Sequence, residues 1–243
     1  MPGMTMERMP EGPPATAPVT GDPDAAHRAL RVQMLATEHW SLLATRSLSW
    51  NESFSRAGMF LSLLSGSVVA LALVAQATSF GDAFAIFALL LLPVVLFVGV
   101  ATFLRLVEIN NEDYVWVLGM NRLRRAYLEV DPDLARHFIT GTAEDPASVM
   151  LTYGTHAGGS NFGHGLITTP TTIAFVDAMI AAVLASIALI QLSQMPMAPV
   201  AVVGVLVFLG AIVVLEAIGY RSSSHAHAVK TIQEGQAAAE HGR

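Results

Sequence analysis

The chain predicts an all-α polytopic membrane protein, with four transmembrane helices in two hairpins and further helices on the cytoplasmic side. Three observations carry that expectation. Residues 57–104 read AGMFLSLLSGSVVALALVAQATSFGDAFAIFALLLLPVVLFVGVATFL, with Asp82 the single formally charged residue. Each side of Asp82 is long enough to cross a bilayer, because a helix needs about 20 apolar residues to span the hydrocarbon core. Only 13% of the 243 residues are charged and 53% are hydrophobic, against about 25% charged in an ordinary soluble domain. Finally, Lys and Arg fall on one side of every apolar run.

Residues 1–24 carry six prolines and few apolar side chains. Such a segment cannot bury enough surface to offset its ordering entropy, so a disordered tail is expected. It lacks the basic start and apolar run of a signal peptide. Residues 25–56 turn helical, with Leu30, Met34, Leu35, Leu42, Leu43 and Leu48 at mixed three- and four-residue spacing. Trp40, Trp50 and Phe54 are interleaved there with Arg46, Glu52 and Arg56. A cytoplasmic or interfacial helix is expected, leading into the first span or lying beside it.

The first hairpin occupies 57–104. On its first helix Gly58, Ser62, Gly66 and Ala70 recur every fourth residue, a small-residue ridge of the kind that lets two helix backbones approach closely. Its second helix contains Pro93, which removes one intrahelical hydrogen bond and is a candidate kink. Past Arg105 the apolar positions Leu106, Ile109, Trp116, Val117, Met120, Leu123 and Tyr127 continue the helical period, so the span is expected to extend as a stalk. Arg122, Arg124 and Arg125 lie beside that stripe and are candidate contacts for anionic lipid headgroups. Asp131 before Pro132 matches an N-cap and first helical position, which predicts a short helix to Phe138. Residues 144–170 read as a loop rich in Gly, Ser, Thr and Asn, closing a stalk-and-loop region of 105–170.

The second hairpin occupies 171–220, with Met195, Pro196, Met197 and Pro199 in its turn; 221–243 is a polar tail whose Ala- and Gln-rich end suits a weak helix. The turns 76–82 and 193–198 have no basic residue. The positive-inside rule therefore places both termini and the central segment in the cytoplasm of a bacterial inner membrane.

Asp177 is the most informative polar residue, in TTIAFVDAMIAAVLAS. Ionisable residues inside a membrane are costly and face a partner or a cavity. Antiparallel pairing of the last two spans predicts Glu216 at similar depth, so Asp177 and Glu216 form a candidate proton or cation site. The alternative is an interfacial Asp177 at the start of a slightly later span. His156 and His164, in the loop THAGGSNFGHGLITTP, offer at most an incomplete metal set with Asp177. No metal and no cofactor is predicted. Its four glycines do not match a phosphate-cradling GxxxxGK[ST].

There is no cysteine, which excludes disulfides, thiolate metal sites and a cysteine nucleophile. A net charge of −6 argues against general nucleic-acid binding. The partners expected are the lipid bilayer and further copies of the chain. The stretches HWSLLATRSLSWNESFSRAGMFLSLLSGSVVALALVAQ (His39–Gln76) and LGMNRLRRAYLEVDPDL (Leu118–Leu134) resemble a family of uncharacterised bacterial integral membrane proteins. That resemblance implies a membrane protein and brings no activity. The order of cytoplasmic helix, two-span hairpin and cytoplasmic helix is also similar in architecture to SLATT-type membrane effectors, with one hairpin more. Three functions remain open: an oligomeric scaffold or channel-like protein, a small proton- or cation-coupled transporter, and a membrane enzyme.

Overall fold

Two helices far longer than a bilayer is thick form the frame of the molecule. The structure, a computed structural model, describes residues 23–153, 168–193 and 195–241, with side chains through Ser223. Residues 1–22 of the expected tail 1–24 and most of the Gly-rich loop, with His156 and His164, lie outside the described residues, while Pro23 and Asp24 are helical.

Helix α1 runs unbroken from Pro23 to Thr78, 56 residues, or ~84 Å at 1.5 Å per residue. Pro23 opens it where no backbone donor is needed, and Asp24 in the first turn opposes the helix dipole. A Schellman turn ends it. Ser79 (φ 50°) and Phe80 (φ 58°) take left-handed backbone, and the Phe80 N–H donates to the Ala75 carbonyl at 3.2 Å.

Helix α2, Asp82–Val130, returns alongside it. Pro93 sits within α2 on its exposed face, and the helix continues through it. At the far end Asp131 is extended, as the residue before a proline prefers, and a 3₁₀ turn follows at Pro132–His137. The Asp131 carboxylate caps that turn by accepting from the Asp133 N–H. The two helices keep step along their whole length. Arg31 meets Glu129, Arg46 meets Asp113, Arg105 meets Glu52, and Phe60 lies against Gly99. There is thus no structural boundary at 56/57 or 104/105; span and stalk are one element.

Residues 144–153 are not all loop. Helix α3, Pro146–Thr152, is capped by Asp145, whose carboxylate accepts from the Ser148 N–H and hydroxyl at 2.9 Å each. Those bonds hold the Asp145 carboxyl below the usual aspartate range. Helices α4 (Thr169–Ser193) and α5 (Met197–His241) form the second hairpin. They are antiparallel, with Phe175 edge-on to Phe208 at 5.2 Å. Instead of ending near Tyr220, α5 continues through the polar tail to His241.

α2 is the hub of the assembly. It packs on α1, α4 and α5, whereas α1 makes no contact with α5 among the described residues. The bundle is therefore open on one side of α1. Its core includes Phe60, Leu92, Val95, Phe103, Leu106 and Ile173 and is apolar. A second small core (Val117, Leu118, Met120 and Val149) seats α3 on the stalk. Among the described residues, four helices are long and apolar enough to cross a membrane. The chain is an all-α membrane protein.

Candidate functional site

The site is assembled from three helices at the stalk end of the membrane-spanning bundle. α4 supplies Asp177, α2 supplies Gly99 and α1 supplies Phe60. Asp177 is 1% exposed. Its neighbours on the same face of α4, Ile173, Ala174 and Ala178, are buried with it. Gly99 makes the fit. A Cβ at that position would fall inside the Asp177 carboxylate and 2.8 Å from Phe60 Cε2, so α4 can bring a carboxyl onto α2 only where α2 has no side chain.

Neither Asp177 oxygen has a hydrogen-bond partner among the described residues. The buried hydroxyls of the spans are already committed. Ser67 donates to the Leu63 carbonyl and Thr102 to the Val98 carbonyl, each at 2.8 Å. A buried polar group left this way is rare and calls for an explanation.

Arg56 and Arg105 mark where charge begins below the site. Gly99 precedes Arg105 by about six residues, or ~9 Å along the helix. Arg105 donates to Glu52 (3.0 and 3.1 Å), Glu108 (3.2 Å) and Glu112 (3.1 Å). Glu52 also accepts from Arg56 at 2.8 Å. Hydrogen bonds from Arg105 first, then Arg56, hold the Glu52 carboxyl down at about 2.

Further down the stalk Asp113, 4% exposed, accepts four hydrogen bonds from two other elements. Arg46 donates at 2.6 and 3.2 Å and Trp50 Nε1 at 3.2 Å, all from α1. The Tyr153 hydroxyl at the end of α3 donates at 2.8 Å, and the Arg46 guanidinium lies over the Tyr153 ring. Burial, then the Asp113 charge, pushes the Tyr153 phenol well above its ordinary range. Asn121, farther along α2, ties the same segment down. It donates to the Ala143 carbonyl at 2.9 Å and accepts from Arg124 and from Thr152. Together Asp113 and Asn121 clamp 141–153 against α2.

The other predicted site residues are placed as follows. Glu216 is exposed on α5. A Cβ at Gly219 of α5 would meet Phe103 and Val107 of α2, just below Gly99, so Glu216 lies at nearly the depth of Asp177 but on an outward face. The similar depth expected of the two carboxylates does not bring them together: Asp177 is buried, Glu216 is exposed, and neither Asp177 oxygen is hydrogen-bonded among the described residues. Asp177 is enclosed by protein on α4 rather than open at the helix start.

Among the described residues, the ridge of Gly58, Ser62, Gly66 and Ala70 is open over its first three positions and half-buried at Ala70. Gly58, Ser62 and Gly66 are exposed, and a Cβ at Gly58 or Gly66 would meet no atom within 4 Å. The face of α1 that packs inward carries Ala57, Phe60, Ser67 and Ala75 instead. Arg122, Arg124 and Arg125 lie about 18 residues or more past Leu104 on a continuous helix, ~27 Å from the end of the span. Arg122 is held bidentately by Glu144 (2.9 and 2.7 Å), Arg124 folds back onto Asn121, and Arg125 is exposed. The lipid-headgroup role expected for them does not suit that height. Among the described residues there is no group of three or more His, Asp or Glu able to hold a metal.

Comparison with protein-family models, with curated proteins and with solved structures found no match. The chain is placed by its own physics: a polytopic all-α membrane protein with a carboxyl inside its bundle that has no hydrogen-bond partner among the described residues.

Proposed function

We propose that this is a small protein of the bacterial cytoplasmic membrane that couples uptake and release of a proton or cation at Asp177 to movement of α4 against α2. One observation carries the reading: a carboxyl buried between three helices with neither oxygen bonded among the described residues. Burying an unpaired charge costs far more than a helix pair can return, so the packed state is complete only with a bound positive species. Intramembrane ionisable residues mark ion and proton pathways by default. The one-sided distribution of Lys and Arg supports cytoplasmic termini, which places Asp177 nearer the cytoplasmic face. The test is flux in proteoliposomes under an imposed pH gradient and membrane potential. Asp177→Asn is expected to abolish it; unchanged flux would remove Asp177 from the pathway.

A second reading, an oligomeric scaffold or channel-like assembly, draws on a different observation. The Gly58–Ala70 ridge is open and α1 is unpartnered on that side among the described residues. The apolar core of a single copy supports a pore between copies rather than within one. Crosslinking and native mass spectrometry in detergent are expected to show a discrete oligomer; a monodisperse monomer would count against it.

A further inference from the structure

Resting on the Asp177 reading above, we infer that the species taken up there is a proton and not a metal cation. A hard cation such as Ca²⁺ takes six to eight oxygen ligands, and Mg²⁺ near-ideal octahedral oxygen coordination. Asp177 offers one carboxyl. The groups around it are a phenyl ring (Phe60), a glycine Cα (Gly99) and aliphatic side chains (Ile173, Ala174 and Ala178). The buried hydroxyls of Ser67 and Thr102 turn their protons to carbonyls of their own helices, and neither they nor any other described group is hydrogen-bonded to Asp177.

Among the described residues, no counter-charge is within hydrogen-bonding reach from any packed element. Along α1 the nearest is Arg56, held by Glu52. Along α2 it is Arg105, held by Glu52, Glu108 and Glu112. On α5 it is Arg221, past the exposed Glu216, whose charge is of like sign, and α4 has no other charged residue. A metal ion entering this space would lose most of its water and meet one carboxyl among apolar groups. A proton needs one lone pair, and it converts the carboxylate into a neutral acid that apolar walls accept. Uptake forms one O–H bond on an Asp177 oxygen with the proton drawn from water at the stalk end; release returns it, and no other bond changes. Gly99 is the positioning residue, since its missing side chain is the space the acid occupies.

The experiment is infrared difference spectroscopy on the full chain in lipid nanodiscs, paired with equilibrium binding of Na⁺, K⁺ and Ca²⁺. At neutral pH the wild type is expected to show a protonated-carboxyl C=O band that Asp177→Asn loses and Glu216→Gln keeps. Saturable cation binding that depends on Asp177 is expected to be absent. Asp177 is replaced there by an isosteric amide that mimics the neutral acid, so the comparison does not turn on misfolding. Asp177-dependent binding of any of the three ions, with release of a proton, overturns the proton assignment and leaves the broader reading standing. A spectrum with no Asp177-dependent band, together with no Asp177-dependent binding, overturns both.

Discussion

At the scale of residues, the molecule depends on positions where one side chain is excluded so that another fits. Gly99 is the sharpest case. Gly99→Ala drives a methyl into the Asp177 carboxyl and the edge of Phe60, and overpacking of this kind costs about 1–3 kcal/mol. The same substitution in an Asp177→Ala background meets empty space on the carboxyl side. The two changes are therefore expected to be non-additive, with the double variant more stable than the sum of the singles, read from unfolding midpoints in a detergent–SDS titration. Glu52 yields a pH dependence whose sign is fixed by its partners. Its folded carboxyl lies at about 2, below the ordinary 4.5, through Arg105 and then Arg56. A depressed carboxyl contributes stability above its unfolded value, and that contribution is lost as the pH falls through the folded one. All three tryptophans (Trp40, Trp50 and Trp116) lie in the stalk. The thermal midpoint of tryptophan fluorescence is expected to fall between pH 4.5 and about 2, and to fall less steeply in Glu52→Gln.

At the scale of elements, the segment 141–153 is a strap tied to the stalk by Asn121 and Asp113 and turned at Gly141. Gly141 is buried, and a Cβ there would collide with the Ser148 backbone, which cannot swing aside as a side chain can. Gly141→Ala is expected to detach α3 while leaving the long helices intact. Amide exchange of residues 146–152 should accelerate at least tenfold with the far-ultraviolet helical signal unchanged; unchanged exchange would show that the strap does not depend on this turn. The elements differ in how well they can be read from the chain. Asp131 before Pro132 announces its short helical turn. Asp145 before Pro146 carries the same signal, but the glycine- and serine-rich residues after it dominate the local composition and mask it. Asp177 stands out as a charge among small apolar residues. Gly99 does not, since a glycine in a membrane helix is common and its partner lies 78 residues away. Asp113 is hidden among Asn110, Asn111 and Glu112. Its signal is positional: it occupies the stripe of Leu106, Ile109, Val117 and Met120, where a carboxylate must be paired.

At the scale of the whole molecule, two hairpins joined mainly through α2 leave much apolar surface outward, and most of it suits lipid. The outward face of α1 differs. Along its spanning stretch it presents Gly58, Ser62, Gly66 and Ala70, and along the stalk it leaves Leu30, Met34, Trp40 and Leu48 exposed. Lipid chains gain nothing from a smooth small-residue ridge, whereas a second helix gains close backbone approach. The stalk residues stand beyond the lipid, where exposed leucine and tryptophan favour burial against protein. Self-association through α1 is the second reading above, and the open geometry supplies a clean test of it. Because a Cβ at Gly58 or Gly66 meets no atom within 4 Å of its own chain, Gly58→Leu and Gly66→Leu are expected to leave the monomer fold unperturbed. They should block approach of a second α1, so that an oligomer seen for the wild type in native mass spectrometry is replaced by monomer at equal thermal stability. Ala57→Leu is the converse control: its side chain points into the core, and it should lower stability whether or not copies associate. Retention of the oligomer in both glycine variants would move the interface away from this face of α1.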